Sequence, residues 1–146
     1  MRGLIALLFL ANAFCLVAAD DHFIFNVTFT CGYHQREKYN YNIQFFEVDS
    51  FWSDTELTPQ KIGEARPGLS HFTMEAWQDG DQPLSDGYEV KLMLFHDCTE
   101  YSTEATLNMN LRPLCEIGKG MCRYTIIKEL KDANGKMEHA AKLEYN

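Results

Sequence analysis

The sequence predicts an all-β protein, a two-sheet β-sandwich of seven or eight short strands. The main observation is alternation: from Phe23 to Cys31 every second residue is apolar, and Asn26, Thr28 and Thr30 stand between them. A period of two residues is typical of a half-buried strand. Pairs of turn residues separate further runs of this kind, and short strands at this spacing favour a sandwich.

Each further strand has its own local pattern. Tyr41, Ile43 and Phe45 alternate with amides, and the apolar phase then shifts to Phe46, which predicts a bulge near Phe45. The run Val90–Phe95 is apolar on nearly both faces, which predicts a central position in a sheet. The remaining predicted strands are Phe72–Ala76, Leu107–Leu111, Tyr124–Ile127 and Ala141–Tyr145.

The amino-terminal residues have the pattern of a secretory signal peptide. A charged start precedes an apolar run from Leu4 to Leu16, and Ala19 supplies the small residue of a cleavage site. The run is too short for a good membrane span, and no later run is long enough, so we expect no membrane span. The sequence therefore predicts a signal peptide over 1–19 and one domain over 20–146 in a secreted, extracellular protein.

Composition narrows the classes of partner. The chain has 146 residues and a formal net charge of −8 at pH 7. An acidic surface argues against nucleic acid, and against binding anionic membranes by charge alone. No spacing of Cys and His matches a structural zinc site, and no motif indicates a cofactor.

The cysteine count predicts two disulfide bonds. Cys15 lies in the leader, which leaves Cys31, Cys98, Cys115 and Cys122 in an oxidising compartment. Four cysteines allow three pairings, and the sequence does not choose among them. The positions favour Cys31 with Cys98, two strand ends, and Cys115 with Cys122, across a short loop that contains glycines.

The first strand also carries a glycosylation motif. Asn26, Val27 and Thr28 form the Asn-x-Thr acceptor sequence, and Asn26 lies on the polar face of the strand. We therefore expect an N-glycan at Asn26.

Three segments resemble motifs of the transthyretin-like family of secreted proteins. The run Phe46–Asp54 resembles the LWExDxxxxD end of that family's second strand, and Lys91–Cys98 resembles its LKIYHDC strand. Cys122–Ile127 is similar to its CxRxxxI strand, and Cys31 stands where the family's first strand ends in a cysteine. The resemblance implies a two-sheet sandwich, extracellular placement and a binding role without enzymatic activity.

The candidate binding residues lie in two segments. Phe51 and Trp52 follow the second strand, where a loop should begin, and exposed aromatic residues at a loop are typical of recognition sites. Arg36 and Lys38 form a small basic cluster in an earlier turn, suited to an anionic partner. The leading hypothesis is a non-catalytic binding protein for an extracellular protein receptor, a lipid or a small hydrophobic ligand.

Two alternative functions stay open. Cleavage after residue 19 would create a terminus of Asp20, Asp21 and His22, a set that can bind Cu(II) or Ni(II) in a square plane. The transthyretin fold also hosts a hydrolase, but the carboxyl terminus here does not resemble the tail of that enzyme, and fold alone does not carry an activity.

The mature chain should begin at Asp20. Val17 and Ala19 place small residues at the −3 and −1 positions, and a polar stretch follows the predicted cleavage site. Edman degradation or intact-mass analysis of the secreted protein measures the terminus. A start at His22 or later would contradict the prediction and would also remove the copper hypothesis.

Overall fold

The structure, a computed structural model, describes residues 20–50, 52–80 and 85–146. The described residues form two β-sheets packed face to face, so the fold is an all-β sandwich as the sequence predicted. Ten strands follow one another along this part of the chain. Their bounds are β1 Asp21–Cys31, β2 Tyr39–Glu47, β3 Thr55–Glu56, β4 Lys61–Ala65, β5 Gly68–Gln78, β6 Val90–His96, β7 Ala105–Arg112, β8 Met121–Glu129, β9 Gly135–Ala140 and β10 Lys142–Tyr145.

The smaller sheet has the strand order β10-β8-β1-β5. Its two longest strands, β1 and β5, run antiparallel over their full lengths, whereas β1 and β8 are parallel. The alternation that predicted β1 is observed: Phe23, Phe25, Val27 and Phe29 face the other sheet and are at most 1% exposed. The alternate residues of β1 lie on the outer face of the sheet.

The larger sheet has the order β3-β2-β6-β7-β9, and β4 also pairs with β2. β6 lies in the middle of this sheet, which confirms the position predicted from its apolar run. Antiparallel pairing joins β2, β6 and β7, and β9 is added in parallel to β7. Inward residues such as Leu92, Leu94 and Met109 complete the core from this side.

Aromatic rings connect the two sheets at the centre of the core. Phe25 of β1 stacks on Phe45 of β2, with ring centroids 3.8 Å apart and planes 5° from parallel. Phe25 also lies near Tyr124, and Phe23 meets Tyr88 edge-on. Aromatic pairs of this kind contribute about 0.5–1.5 kcal/mol beyond the area that they bury.

The predicted bulge is not in β2 itself. Residues Tyr41 to Glu47 pair with β6 in one unbroken register, so Phe46 stays on the outer face. The irregularity lies in the facing segment after β3, where the amides of Leu57 and Thr58 both donate to the Phe45 carbonyl oxygen. Two residues thus oppose one across this edge, as in a bulge on the partner strand.

The described part of the chain has ten strands, more than the seven or eight predicted, because some short strands lack an alternating pattern. β4 and β9 are exposed or half-buried at every position, so neither shows an apolar face in the sequence. Close packing still constrains β4: a Cβ atom on Gly63 would lie 2.5 Å from the Tyr41 hydroxyl oxygen. A residue with a Cβ atom at this position would therefore have to displace the Tyr41 ring.

Both disulfides that the sequence favoured are present. Cys31, the last residue of β1, is bonded to Cys98 just beyond β6, with Cα atoms 6.0 Å apart. This bond joins the two sheets at one end of the sandwich. Cys115 is bonded to Cys122 of β8 across the glycine-containing loop, with Cα atoms 6.1 Å apart.

The two bonds should differ in their effect on stability. They span 67 and 7 residues of sequence, so the chain-entropy model predicts losses of about 4 kcal/mol for Cys31→Ala/Cys98→Ala and about 2 kcal/mol for Cys115→Ala/Cys122→Ala. Urea unfolding followed by far-UV circular dichroism measures both free energies of unfolding. The reverse order would show that loop entropy does not set these contributions.

Candidate functional site

A groove crosses the outer face of the larger sheet beside β2, β6, β7 and β9. Strand register forms its floor, because Met93 of β6 pairs with Asn108 of β7, and Asn108 pairs with Lys136 of β9. Its volume is about 520 Å³. The lining residues are Val48, Lys91, Met93, Asn108, Asn110, Lys136, Met137 and Glu138.

The loop that carries Trp52 begins and ends beside this groove. Val48, just before the loop, lines the groove, and so does Lys91, whose ammonium group forms an ion pair with Asp54 near the end of the loop. The Thr55 hydroxyl donates to Asp49 at 3.1 Å and closes the base of the loop. Trp52 itself is 76% exposed. Its predicted neighbour in the site, Phe51, lies outside the described residues.

Asn108 is a polar group in an unusual state. Its Oδ1 atom is buried and has no hydrogen-bond partner among the described residues. A buried acceptor without a donor costs about 1–3 kcal/mol. A rotation of the Asn108 side chain would bring this acceptor to the groove that the residue lines, where a ligand N–H or O–H group would remove the cost. The sequence analysis missed Asn108, because a polar residue in an alternating strand indicates only a solvated face.

Charge in the groove is unevenly compensated. Lys91 is paired with Asp54, and Glu138 accepts from Arg112 at 3.4 Å. Lys136 has no ion-pair partner in the described part of the chain. The groove therefore offers positive charge locally although the whole chain is acidic, and this charge favours a ligand with an anionic group.

The basic candidates Arg36 and Lys38 are engaged elsewhere. The Arg36 guanidinium donates to the carbonyl oxygen of Asp97 and forms an ion pair with the Asp97 carboxylate at 3.4 Å. It is half-buried and holds the corner of the chain beside Cys98. Lys38 is paired with Glu64 on β4. These contacts favour a structural role for Arg36, and the structure does not bring this pair to the groove.

Two of the proposed amino-terminal metal ligands, Asp21 and His22, are engaged in other contacts. The Asp21 side chain is 1% exposed and accepts hydrogen bonds from Gly118 N at 2.7 Å, Gly120 N at 2.8 Å and the Tyr88 hydroxyl at 2.9 Å. The amide of His22 donates to the Gly120 carbonyl oxygen at 2.9 Å. A square-planar chelate would need that amide nitrogen, so binding would require this end of β1 to separate from the loop.

Asp21 therefore has a structural function that the sequence did not indicate. Its carboxylate satisfies two loop amides inside the bend closed by the Cys115–Cys122 disulfide. Within residues 20–50, 52–80 and 85–146, no group of three or more His, Cys, Asp and Glu side chains is arranged to hold a metal ion. In the same ranges, no helix has the length and apolar character that a membrane span requires.

His96, the last residue of β6, and Cys98, two residues further on, form part of the core. Cys98 is in a disulfide, and the imidazole of His96 is 2% exposed. His96 Nε2 donates to the Ala133 carbonyl oxygen at 2.8 Å, and Nδ1 accepts from the Cys98 amide at 3.2 Å. Both ring nitrogens thus support the backbone, and burial lowers the pKa of His96 below the ordinary histidine value.

Asn26 lies on the outer face of the smaller sheet, as predicted, and is half-buried between β5 and β8. The Thr73 hydroxyl donates to its Oδ1 atom at 3.0 Å. Asn26 therefore lies on the opposite side of the sandwich from the groove.

Comparison with known proteins gives no relative for this chain. No protein-family model matches it, and no curated protein or solved structure matches it at a significant level. The resemblance to transthyretin-like proteins rests on the quoted motifs and stays a prediction.

The buried state of His96 should make the protein less stable in mild acid. Because its pKa is lower in the folded state than in the unfolded state, the unfolded chain binds more protons below about pH 6.5. The free energy of unfolding should therefore be constant above that pH and fall as the pH decreases toward 5. Urea titrations at a series of pH values measure this slope.

Substitution of single histidines shows which group causes the fall in the free energy of unfolding at low pH. His139 also has a pKa lowered by burial and by Lys128, so it contributes in the same pH range. His96→Gln and His139→Gln should each flatten the profile, and the double variant should flatten it most. A profile that is unchanged in His96→Gln would contradict the assignment, whatever the overall stability of the variant.

Proposed function

We propose that this protein is a secreted, non-catalytic binding protein that holds a small amphipathic ligand in the groove on its larger sheet. The observation that carries the proposal is Asn108, a residue that lines a groove of about 520 Å³ and whose buried Oδ1 atom has no hydrogen-bond partner among the described residues. Ligand sites are mostly apolar and contain a few polar groups that fix orientation. A ligand donor at Asn108 would supply such a contact.

The remaining lining defines the chemistry of the ligand. Val48, Met93 and Met137 supply apolar surface, and methionine side chains adapt to varied shapes. Lys136 supplies positive charge. The fitting ligand is a small anionic amphiphile with a hydroxyl or amine group, such as a hydroxylated fatty acid. This class lies within the lipids and small hydrophobic ligands that the sequence suggested.

Three observations support secretion and the absence of catalysis. The two disulfides are consistent with an extracellular protein. The leader pattern predicts export. Cys98 and His96 lie close together but are unsuited to nucleophilic catalysis, because Cys98 is in a disulfide and both ring nitrogens of His96 contact the backbone.

A fluorescent amphiphile tests the groove directly. Anilinonaphthalene sulfonate carries aromatic rings, an N–H donor and a negative charge, so it matches the proposed ligand class. We expect saturable binding to the mature protein, and we expect Asn108→Leu to raise Kd roughly tenfold because the donor loses its acceptor. Fluorescence titration measures Kd, and urea unfolding checks that the variant is folded. Asn42→Leu, on the same sheet face outside the groove, is the matched control and should bind normally.

The role of Trp52 is tested in the same titration. Trp52→Ala should weaken binding, whereas Trp77→Ala, which removes a tryptophan of similar exposure from the opposite sheet, should not. Equal effects of the two tryptophan variants, or normal binding by Asn108→Leu, would contradict the proposed site. Binding to phosphatidylcholine–phosphatidylserine vesicles in place of the monomeric probe would identify a membrane surface as the partner instead.

A further inference from the structure

The outer face of the smaller sheet exposes several large apolar side chains. Leu69 and Trp77 of β5 are 64% and 60% exposed, and Ile127 of β8 is 63% exposed. All three lie on the same face as Asn26, because their strand partners on β1 are Thr30, His22 and Thr28. Exposed polar residues of β5 separate Leu69 from Trp77, so these side chains are individual apolar contact points on one face.

Asn26 lies in the middle of this face. It pairs with Thr73 of β5 on one side and with Thr125 of β8 on the other. Trp77 and Leu69 are each four residues from Thr73 along β5, about 13 Å in opposite directions at ~3.3 Å per residue. A branched oligosaccharide attached at this point can therefore reach these side chains.

Trp77 is fixed in a position suited to a sugar. Its ring stacks on His22, with centroids 4.5 Å apart and planes 3° from parallel. His22 Nε2 is in turn 3.0 Å from the Glu75 carboxylate, and this contact helps to fix the orientation of the imidazole. One face of the indole is covered by His22, and a sugar ring can stack its C–H groups on exposed aromatic surface.

The geometry of Asn26 suits glycosylation as well. The Thr73 hydroxyl holds its carboxamide oxygen, and its Nδ2 atom has no hydrogen-bond acceptor among the described residues. In the transfer, this nitrogen forms a bond to the anomeric carbon of an oligosaccharide carried on a polyprenyl diphosphate. The bond from that carbon to the diphosphate breaks, the diphosphate leaves with the electron pair, and the amide loses one proton.

We propose that the N-glycan at Asn26 lies along the outer face of the smaller sheet and rests on the exposed surface of the Trp77 ring. There it covers apolar side chains that are otherwise exposed. The occupant is this glycan and not a second protein, because the acceptor asparagine stands at the centre of the face. The proposal shares with the proposed function only the passage through the secretory pathway. It does not depend on the groove of the opposite sheet.

Tryptophan quenching tests this cover. The chain contains two tryptophans, so Trp52→Phe leaves Trp77 as the sole reporter. The variant is secreted from eukaryotic cells and treated, or not, with an amidase that removes N-glycans. We expect a loss of mass on treatment and a rise of about twofold in the acrylamide quenching constant of Trp77, because one covered ring face becomes accessible.

Matched variants separate the effect of the glycan from other effects of the substitutions. Thr28→Ser keeps the acceptor sequence and should behave like the parent, whereas Thr28→Ala removes it and should show the high quenching constant without treatment. In a Trp77→Phe variant, the acrylamide quenching constant of Trp52 should be the same with and without the glycan. The absence of a mass change, or a mass change with unaltered Trp77 quenching, would overturn the proposal; neither result bears on ligand binding by Asn108.

Discussion

The register of β1 is the constraint on which the rest of the structure depends. β1 pairs along its whole length with β5 and along most of it with β8, so its alternation decides which residues of both neighbours face the core. A shift of one residue would turn Phe23, Phe25, Val27 and Phe29 to solvent and bury Asn26 in their place. The stack of Phe25 on Phe45 extends this constraint to the second sheet, since it fixes where β2 crosses β1.

Contacts at both ends of β1 secure this register. At one end, the Cys31–Cys98 bond joins the strand to the larger sheet, and Arg36 and His96 hold the backbone around the same corner. At the other end, the Asp21 carboxylate accepts two amides of the loop before β8. A buried carboxylate is stable only when its hydrogen-bonding capacity is used, so this loop and the strand end must be positioned together.

The sequence was informative where one face of a strand is buried, and uninformative elsewhere. Alternation identified β1 and β7, and an apolar run placed β6 centrally, because burial selects for these patterns directly. Strands β4 and β9 bury little, so selection left no periodic trace in them. Asp21 was read as a metal ligand, since nothing local reveals that its three donors come from residues that are distant in sequence. The groove was missed for the same reason: its floor combines β6, β7 and β9, and only strand register brings Met93, Asn108 and Lys136 together.

The two outer faces of the sandwich differ in a way that supports the different tasks proposed for them. The smaller sheet carries hydroxyls and a glycan acceptor among its exposed apolar residues, and a large hydrated oligosaccharide there would exclude a docking partner from most of that face. The larger sheet has no acceptor sequence in its strands, and it combines an unsatisfied amide oxygen, flexible methionines and a lysine without an ion-pair partner in the described part of the chain. The proposed glycan would also keep copies of the chain from associating through Trp77 and Leu69, and the proposed ligand site lies on the other sheet. The arrangement is thus consistent with one protected face and one binding face. They are the outer faces of the two sheets, and the two-residue period of the strands decides which side chains each face carries.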